Sequence, residues 1–128
     1  MSYEMTAEQV GAILTLPPEQ RFDYFVERVV EYGELWSLAE GDAWMVLSDE
    51  GEDYLPVWPH PDLAAAWAGD AHQGSAPKAI PLSIWLERWA PGMEADGTLL
   101  AVCPGEDPDG VVVEAVELKV AFEQAMKA

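Results

Sequence analysis

With 128 residues, half of them apolar, and one cysteine, the chain is long enough to bury one core without disulfides or a structural metal and too short for two large domains. Its 24 acidic residues against 6 basic ones give a formal net charge of -18, which argues against nucleic acid as a partner, since a polyanion binder needs Lys and Arg to displace counterions. No run approaches the roughly 18 apolar residues that cross a bilayer, and residues 1–5 lack the basic-then-apolar order of a secretory leader, so the expected location is a reducing cytoplasm, with no membrane partner.

Thr6-Ala7-Glu8-Gln9 reads as a capping box that opens a helix, with Met5 and Val10 placed as a hydrophobic staple and Val10, Ile13 and Leu14 as the buried stripe. Pro17-Pro18 ends that helix and starts another, because proline suits a first turn whose N–H groups are unpaired anyway. Phe22, Phe25, Val26, Val29 and Val30 then recur at helical spacing until Gly33 supplies a C-terminal cap. From there the period becomes two. Residues 35–40 and 43–48 predict a hairpin about Gly41-Asp42, with Trp36 and Leu38 on one face.

After the polar loop 49–53 a third strand is predicted over 54–58, where Pro56 marks a sheet edge or a strand end. A helix over 62–68 carries Leu63, Ala66 and Trp67 inward. A loop over 69–77 leads to a short strand at 78–80. Leu82, Trp85, Leu86 and Trp89 form a helical stripe that Pro91-Gly92 is expected to stop. Strands over 98–103 and 111–116 flank the acidic turn 105–110, and a last helix turns Leu118, Ala121, Phe122 and Ala125 inward. Short strands in hairpins between helices predict one α+β domain over 1–128: an antiparallel or mixed sheet of about five short strands with about five helices packed beside it.

The chain has no Gly-x-Ser-x-Gly elbow, phosphate loop or paired-histidine zinc helix. His60 and His72 stand twelve positions apart with no cysteine close to either, and His60, in Trp58-Pro59-His60-Pro61, fits a helix entrance better than a metal site. Cys103, in an apolar run, reads as a small buried hydrophobe. The acidic segments 49–53 and 106–110 offer oxygen ligands without the EF-hand order. No catalytic residue, cofactor or dedicated metal site is therefore assigned. Of the six tryptophans, most are expected in the core; Trp58 and Trp67, beside proline-rich and acidic segments, are the candidates for an interface anchor. The candidate partner-binding set is Trp58, Trp67, Asp49, Glu50, Glu52 and Asp53.

The run Ala79-Ile80-Pro81-Leu82-Ser83-Ile84-Trp85-Leu86-Glu87-Arg88-Trp89-Ala90-Pro91-Gly92-Met93-Glu94-Ala95-Asp96-Gly97 resembles a bacterial family catalogued as domain of unknown function 2750. Upstream, Phe25-Val26, Gly33-Glu34-Leu35-Trp36-Ser37-Leu38, Trp44 and Leu55-Pro56-Val57-Trp58 fall in that family's order, so the resemblance covers all but about the first twenty residues. The chain departs from the pattern in being more acidic and richer in alanine, with Ala90 where a larger apolar residue is common. A looser similarity links the Leu-Pro-Val-Trp strand and the Ala-rich helix to enhanced-serine-sensitivity proteins. The resemblance implies a fold of helices beside a mixed sheet and supplies no activity. Its motif residues Trp36, Trp44, Pro56, Trp89, Pro91, Gly92, Asp96 and Gly97 have structural explanations: Pro91-Gly92 ending a helix, Asp96-Gly97 turning into a strand, Trp89 packing below both.

The expected function is that of a non-catalytic, acidic, cytosolic protein-binding module whose partner is a basic protein. A sharper version is an immunity-type inhibitor that blocks a basic toxin or nuclease. The alternatives are a small enzyme using carboxylates or a divalent metal, and a salt-adapted housekeeping domain. Oligomeric state is not encoded in any of these patterns.

Overall fold

The computed structural model describes residues 5–41, 43–49, 51–68, 74–104 and 111–127. The chain opens on α1 (Ala7–Leu14) with the capping box in place: the Gln9 N–H donates to Thr6 Oγ1 at 3.1 Å and the Thr6 N–H to Gln9 Oε1 at 2.9 Å. Pro18 begins α2 (Pro18–Tyr32), which buries Phe25, Val26 and Val29 and ends at Gly33, where φ is +75° and the N–H reaches the Val29 carbonyl at 2.8 Å.

Arg21 in α2 is fully buried. Its Nη1 donates to the carbonyls of Leu14 at 3.2 Å and Leu16 at 2.8 Å. The last carbonyls of a helix have no partner within it, so a guanidinium from the next helix finishes α1 and fixes how the two helices meet.

Two sheets follow. One has the order β2-β1-β5, made of β1 (Glu34–Glu40), β2 (Ala43–Trp44) and β5 (Ala76–Pro81), with β1 and β5 antiparallel from Glu34 opposite Pro81 to Ala39 opposite Ala76. The other has the order β3-β4-β6-β7, made of β3 (Leu47–Asp49), β4 (Glu52–Val57), β6 (Leu99–Val102) and β7 (Val111–Glu114). Its β4 and β6 run parallel, while β3 and β7 pair antiparallel at its two sides. The architecture is α+β with mixed strand directions.

The single strand expected over 43–48 is instead two. Ala43–Trp44 pairs with β1 and Leu47–Asp49 with β4, so Met45-Val46 carries the chain from one sheet to the other. The sheets also meet directly. Trp36 and Trp58 exchange backbone N–H···O bonds of 2.8 and 2.7 Å, and Ser37 Oγ donates to the Pro56 carbonyl at 2.6 Å. Pro56 lies in an inner strand rather than at the sheet edge. β3 reaches only to Tyr54, however, and a residue two before Trp58 directs its N–H side toward β1, so the proline removes no ladder bond.

Residues 61–68 form α3 (Pro61–Ala68), which with β5 and a helical rod over 82–96 makes the long crossover between parallel β4 and β6. The rod consists of α4 (Leu82–Ile84), a π turn at Trp85–Trp89 and α5 (Ala90–Asp96). The expected stop at Pro91-Gly92 is therefore overturned. A proline inside an α-helix lacks an N–H and clashes with the carbonyl four residues back. Here the turn ahead of it is widened, with the Ala90 N–H bonded five residues back to Trp85, and the helix continues past Pro91. It ends at Gly97, φ +73°. Trp89 does not sit beneath that end; it meets Trp44 of β2 edge-on, with centroids 4.9 Å apart.

The last helix, α6 (Ala115–Lys127), buries Leu118 and Phe122. The Phe122 ring meets Phe25 at 5.8 Å and Trp85 at 5.6 Å, joining α2, α6 and the rod in one core. Cys103 follows β6, fully buried, with φ +46° and its N–H on the Val57 carbonyl at 2.7 Å. Burial pushes its thiol from 9.0 up to about 12, an effect partly offset by the Arg21 charge. Because the folded pKa is the higher one, the stability it contributes is complete below pH 9 and is lost as pH rises toward 12. Iodoacetamide at neutral pH is expected to leave the native thiol intact and to alkylate it in denaturant, as read by intact mass; rapid native alkylation would contradict this burial.

Candidate functional site: a groove between α1 and α3

The chain enters α3 through His60, which is buried and accepts the Asp62 N–H on Nδ1 at 3.0 Å. The imidazole thus serves as the helix-start cap, and Asp62 Oδ2 stands 3.7 Å from the same nitrogen. Leu63, Ala64 and Ala68 turn inward, while Ala66, expected on the buried stripe, is exposed. Trp67 is half-buried. Its ring packs on Trp58 with centroids 5.3 Å apart.

This placement separates the two tryptophans singled out as anchors. Trp58 is fully buried and its Nε1 donates to the Pro104 carbonyl at 3.2 Å, so as a partner-binding residue it is corrected to a core residue. Trp67 keeps part of its ring at the surface, where it walls a groove of about 880 Å³. Met5, Ala7, Val10, Gly11 and Leu14 line the α1 side; Asp62, Ala66 and Trp67 line the α3 side. The volume is in the range of small-molecule and peptide sites, and the walls are mainly apolar with one carboxylate.

Ala7 and Gly11, one helical turn apart, keep the α1 wall low. Gly11 has no positive φ, and a Cβ built there meets nothing within 4 Å. Neither backbone nor packing therefore requires glycine. Gly11→Ala is expected to raise stability by about 0.5–1 kcal/mol through helix propensity, read from denaturant unfolding. A loss of stability would mean that Gly11 has a packing role.

Of the acidic residues expected at the same surface, Glu52 and Asp53 are described and do not line the groove. Glu52 and Asp53 stand at the β3–β4 turn, where Tyr54 OH donates to Glu52 Oε2 at 2.9 Å and Ser48 Oγ to Asp53 Oδ1 at 2.7 Å. The Asp49 backbone pairs with Glu52 in that hairpin; its side chain and Glu50 lie outside the described residues. So do His72 and the acidic turn 105–110. Among the described residues no three His, Cys, Asp or Glu side chains gather as a metal site, and no helix is long and apolar enough to cross a membrane.

The motif residues are spread through the framework. Trp36 bridges the sheets, Trp44 holds Trp89, Pro56 accepts Ser37, Pro91 and Gly92 lie inside the rod, and Asp96-Gly97 ends it. Of the α1 wall, Met5, Val10 and Leu14 are marked in the sequence as staple and stripe, while Ala7 and Gly11, four apart on an exposed face, are the part that pattern leaves unmarked. No curated protein matches the chain. Residues 22–122, which contain α3 but not α1, match the family model described as protein of unknown function, DUF2750. With the sheets, the rod and α6 all inside or reaching into that span, the chain belongs to the DUF2750 family.

Proposed function

We propose that the chain is a non-catalytic protein-binding module, and that its α1–α3 groove takes an apolar segment of a basic partner protein. The half-buried Trp67 in that groove carries the reading. Tryptophan is enriched among the residues that anchor protein interfaces once a partner desolvates them, and an amphipathic helix laid in an apolar groove is a recurrent mode of recognition. Charge sets the partner's sign. Asp62 lines the groove, none of the six basic residues does, and the whole chain carries -18. In its sharper form the partner is a basic toxin or nuclease, and the module is an immunity-type inhibitor that competes with the phosphates of the nucleic acid.

The test uses the full chain and two synthetic amphipathic helical peptides with the same leucine face, one with a lysine polar face and one with glutamate. Titration followed by tryptophan fluorescence is expected to show binding of the lysine peptide alone, weakening with added salt. Trp67→Ala and Ala66→Arg are each expected to weaken it by about tenfold or more. Equal binding of the glutamate peptide, or indifference to both substitutions, would sink the reading.

A further inference from the structure

The outward face of α6 raises a separate question. Among the described residues the exposed large apolar ones are Val46, Val112, Val116, Val120 and Met126, and all but Val46 lie on β7 or α6. Val116 and Val120 are 45 % and 44 % exposed, one turn apart, on the side opposite the buried Leu118 and Phe122. Valine at a half-exposed helical site leaves much of its apolar surface in water, and its branched Cβ lowers helix propensity. Folding gains less from either one than from a buried valine. Beside them a hollow of about 240 Å³ opens between α5 and α6, lined by Ala90, Pro91, Glu94, Val116 and Lys119.

We propose that this face of α6, with Pro91 at its rim, is where two copies of the chain associate. The charge distribution selects that occupant. The protein carries -18, yet α6 holds Glu117 and Glu123 against Lys119 and Lys127 and is neutral. Acid-rich faces of two copies would repel, whereas α6 brings acids and bases in equal number. Glu117 and Lys119 flank the valine stripe on opposite sides, because they lie one residue after and three after Val116 at about 100° per residue. A copy related by a two-fold axis along the helix brings the acid of one α6 toward the base of the other at both flanks, so the face is self-complementary. On α6 itself a basic partner would find no excess of carboxylates.

Two valines and a small hollow make a modest interface, and the long-range repulsion of two acidic chains opposes it. Added salt shortens that repulsion from about 10 Å at 0.1 M to about 3 Å at 1 M while leaving the apolar contact intact. Self-association therefore strengthens with salt, the opposite sign to binding of a basic partner. This proposal does not depend on the α1–α3 groove.

Sedimentation velocity of the full chain over a concentration series, at low and high salt, tests it. The expected result is a monomer–dimer equilibrium that shifts toward dimer with concentration and with salt. Val116→Glu, Val120→Glu and Lys119→Glu should each raise the dimer dissociation constant by about tenfold or more, while Val46→Glu, at a 50 % exposed site on the β2–β3 link, should not. All four positions are exposed or at the rim, and circular dichroism of each variant checks that the fold is retained. A monomer at every salt up to about 1 mM protein, dimers indifferent to the α6 substitutions, or equal loss in Val46→Glu would each overturn the proposal.

Discussion

Arg21→Ala is expected to cost about 3–5 kcal/mol of folding stability, read from the midpoint of urea unfolding at neutral pH. The side chain is fully buried, and its Nη1 supplies the donor to the Leu14 and Leu16 carbonyls. Hydrogen bonds from a charged donor are worth about 1.5–3 kcal/mol each, and an acceptor left dry after truncation costs more than an absent pair. Alanine also leaves a cavity where the three-carbon stem packed. Lysine has length and charge but a single donor point, so Arg21→Lys should recover only part of the loss. A change below about 1 kcal/mol for Arg21→Ala would mean that the α1–α2 junction is held mainly by apolar contacts.

Trp58→Ala should destabilise by a similar amount, about 3–5 kcal/mol, as expected for a large aromatic side chain removed from a packed interior. The ring is fully buried against Trp67, and its indole N–H is satisfied by Pro104. Trp58→Phe should cost less, since it keeps most of the apolar volume and leaves only the Pro104 carbonyl short of a donor. Trp67→Ala should cost much less stability than Trp58→Ala and weaken partner binding much more, because Trp67 gives part of its surface to the groove. Thermal and urea melts of the two variants side by side make the comparison; equal losses would contradict the division between core and groove.

Much of the local structure was legible because it is encoded within a few residues. Thr6 with Gln9, Pro18 and Gly33 each fix an end of an element by their own backbone chemistry, and the stripe Phe25, Val26 and Val29 repeats with the helical period. What failed needed information from elsewhere in the chain. Pro91 is a helix breaker by local rules, and only the widened turn before it keeps the helix going. Met45-Val46 continues a strand-like pattern, but its neighbours bond to two different strands, so pattern alone runs the two elements together. Arg21 has no local pattern that marks it as buried; it is drawn inside by carbonyls at the end of α1 and just beyond it. The groove has walls about fifty residues apart in sequence. Neither wall has a feature that names the other, and the difference between Trp58 and Trp67 is likewise set by what distant segments pack over each ring.

The π turn at Trp85–Trp89 also sets the phase of everything after it. In an unbroken α-helix, residues eight apart are rotated by about 80°, so Trp85 and Met93, both turned into the core, would diverge by nearly a quarter of the circumference. The widened turn takes up one extra residue and realigns them. The rod therefore counts residues like a ratchet with one added tooth: without the extra residue a regular turn would set Trp85 and Met93 seven apart and about 20° out of line, whereas regular winding with every residue kept would rotate Met93 off the interior and pull Glu94 away from the Val116 N–H that it now accepts at 3.3 Å. A regular winding of the same residues would be a better helix and a worse fit.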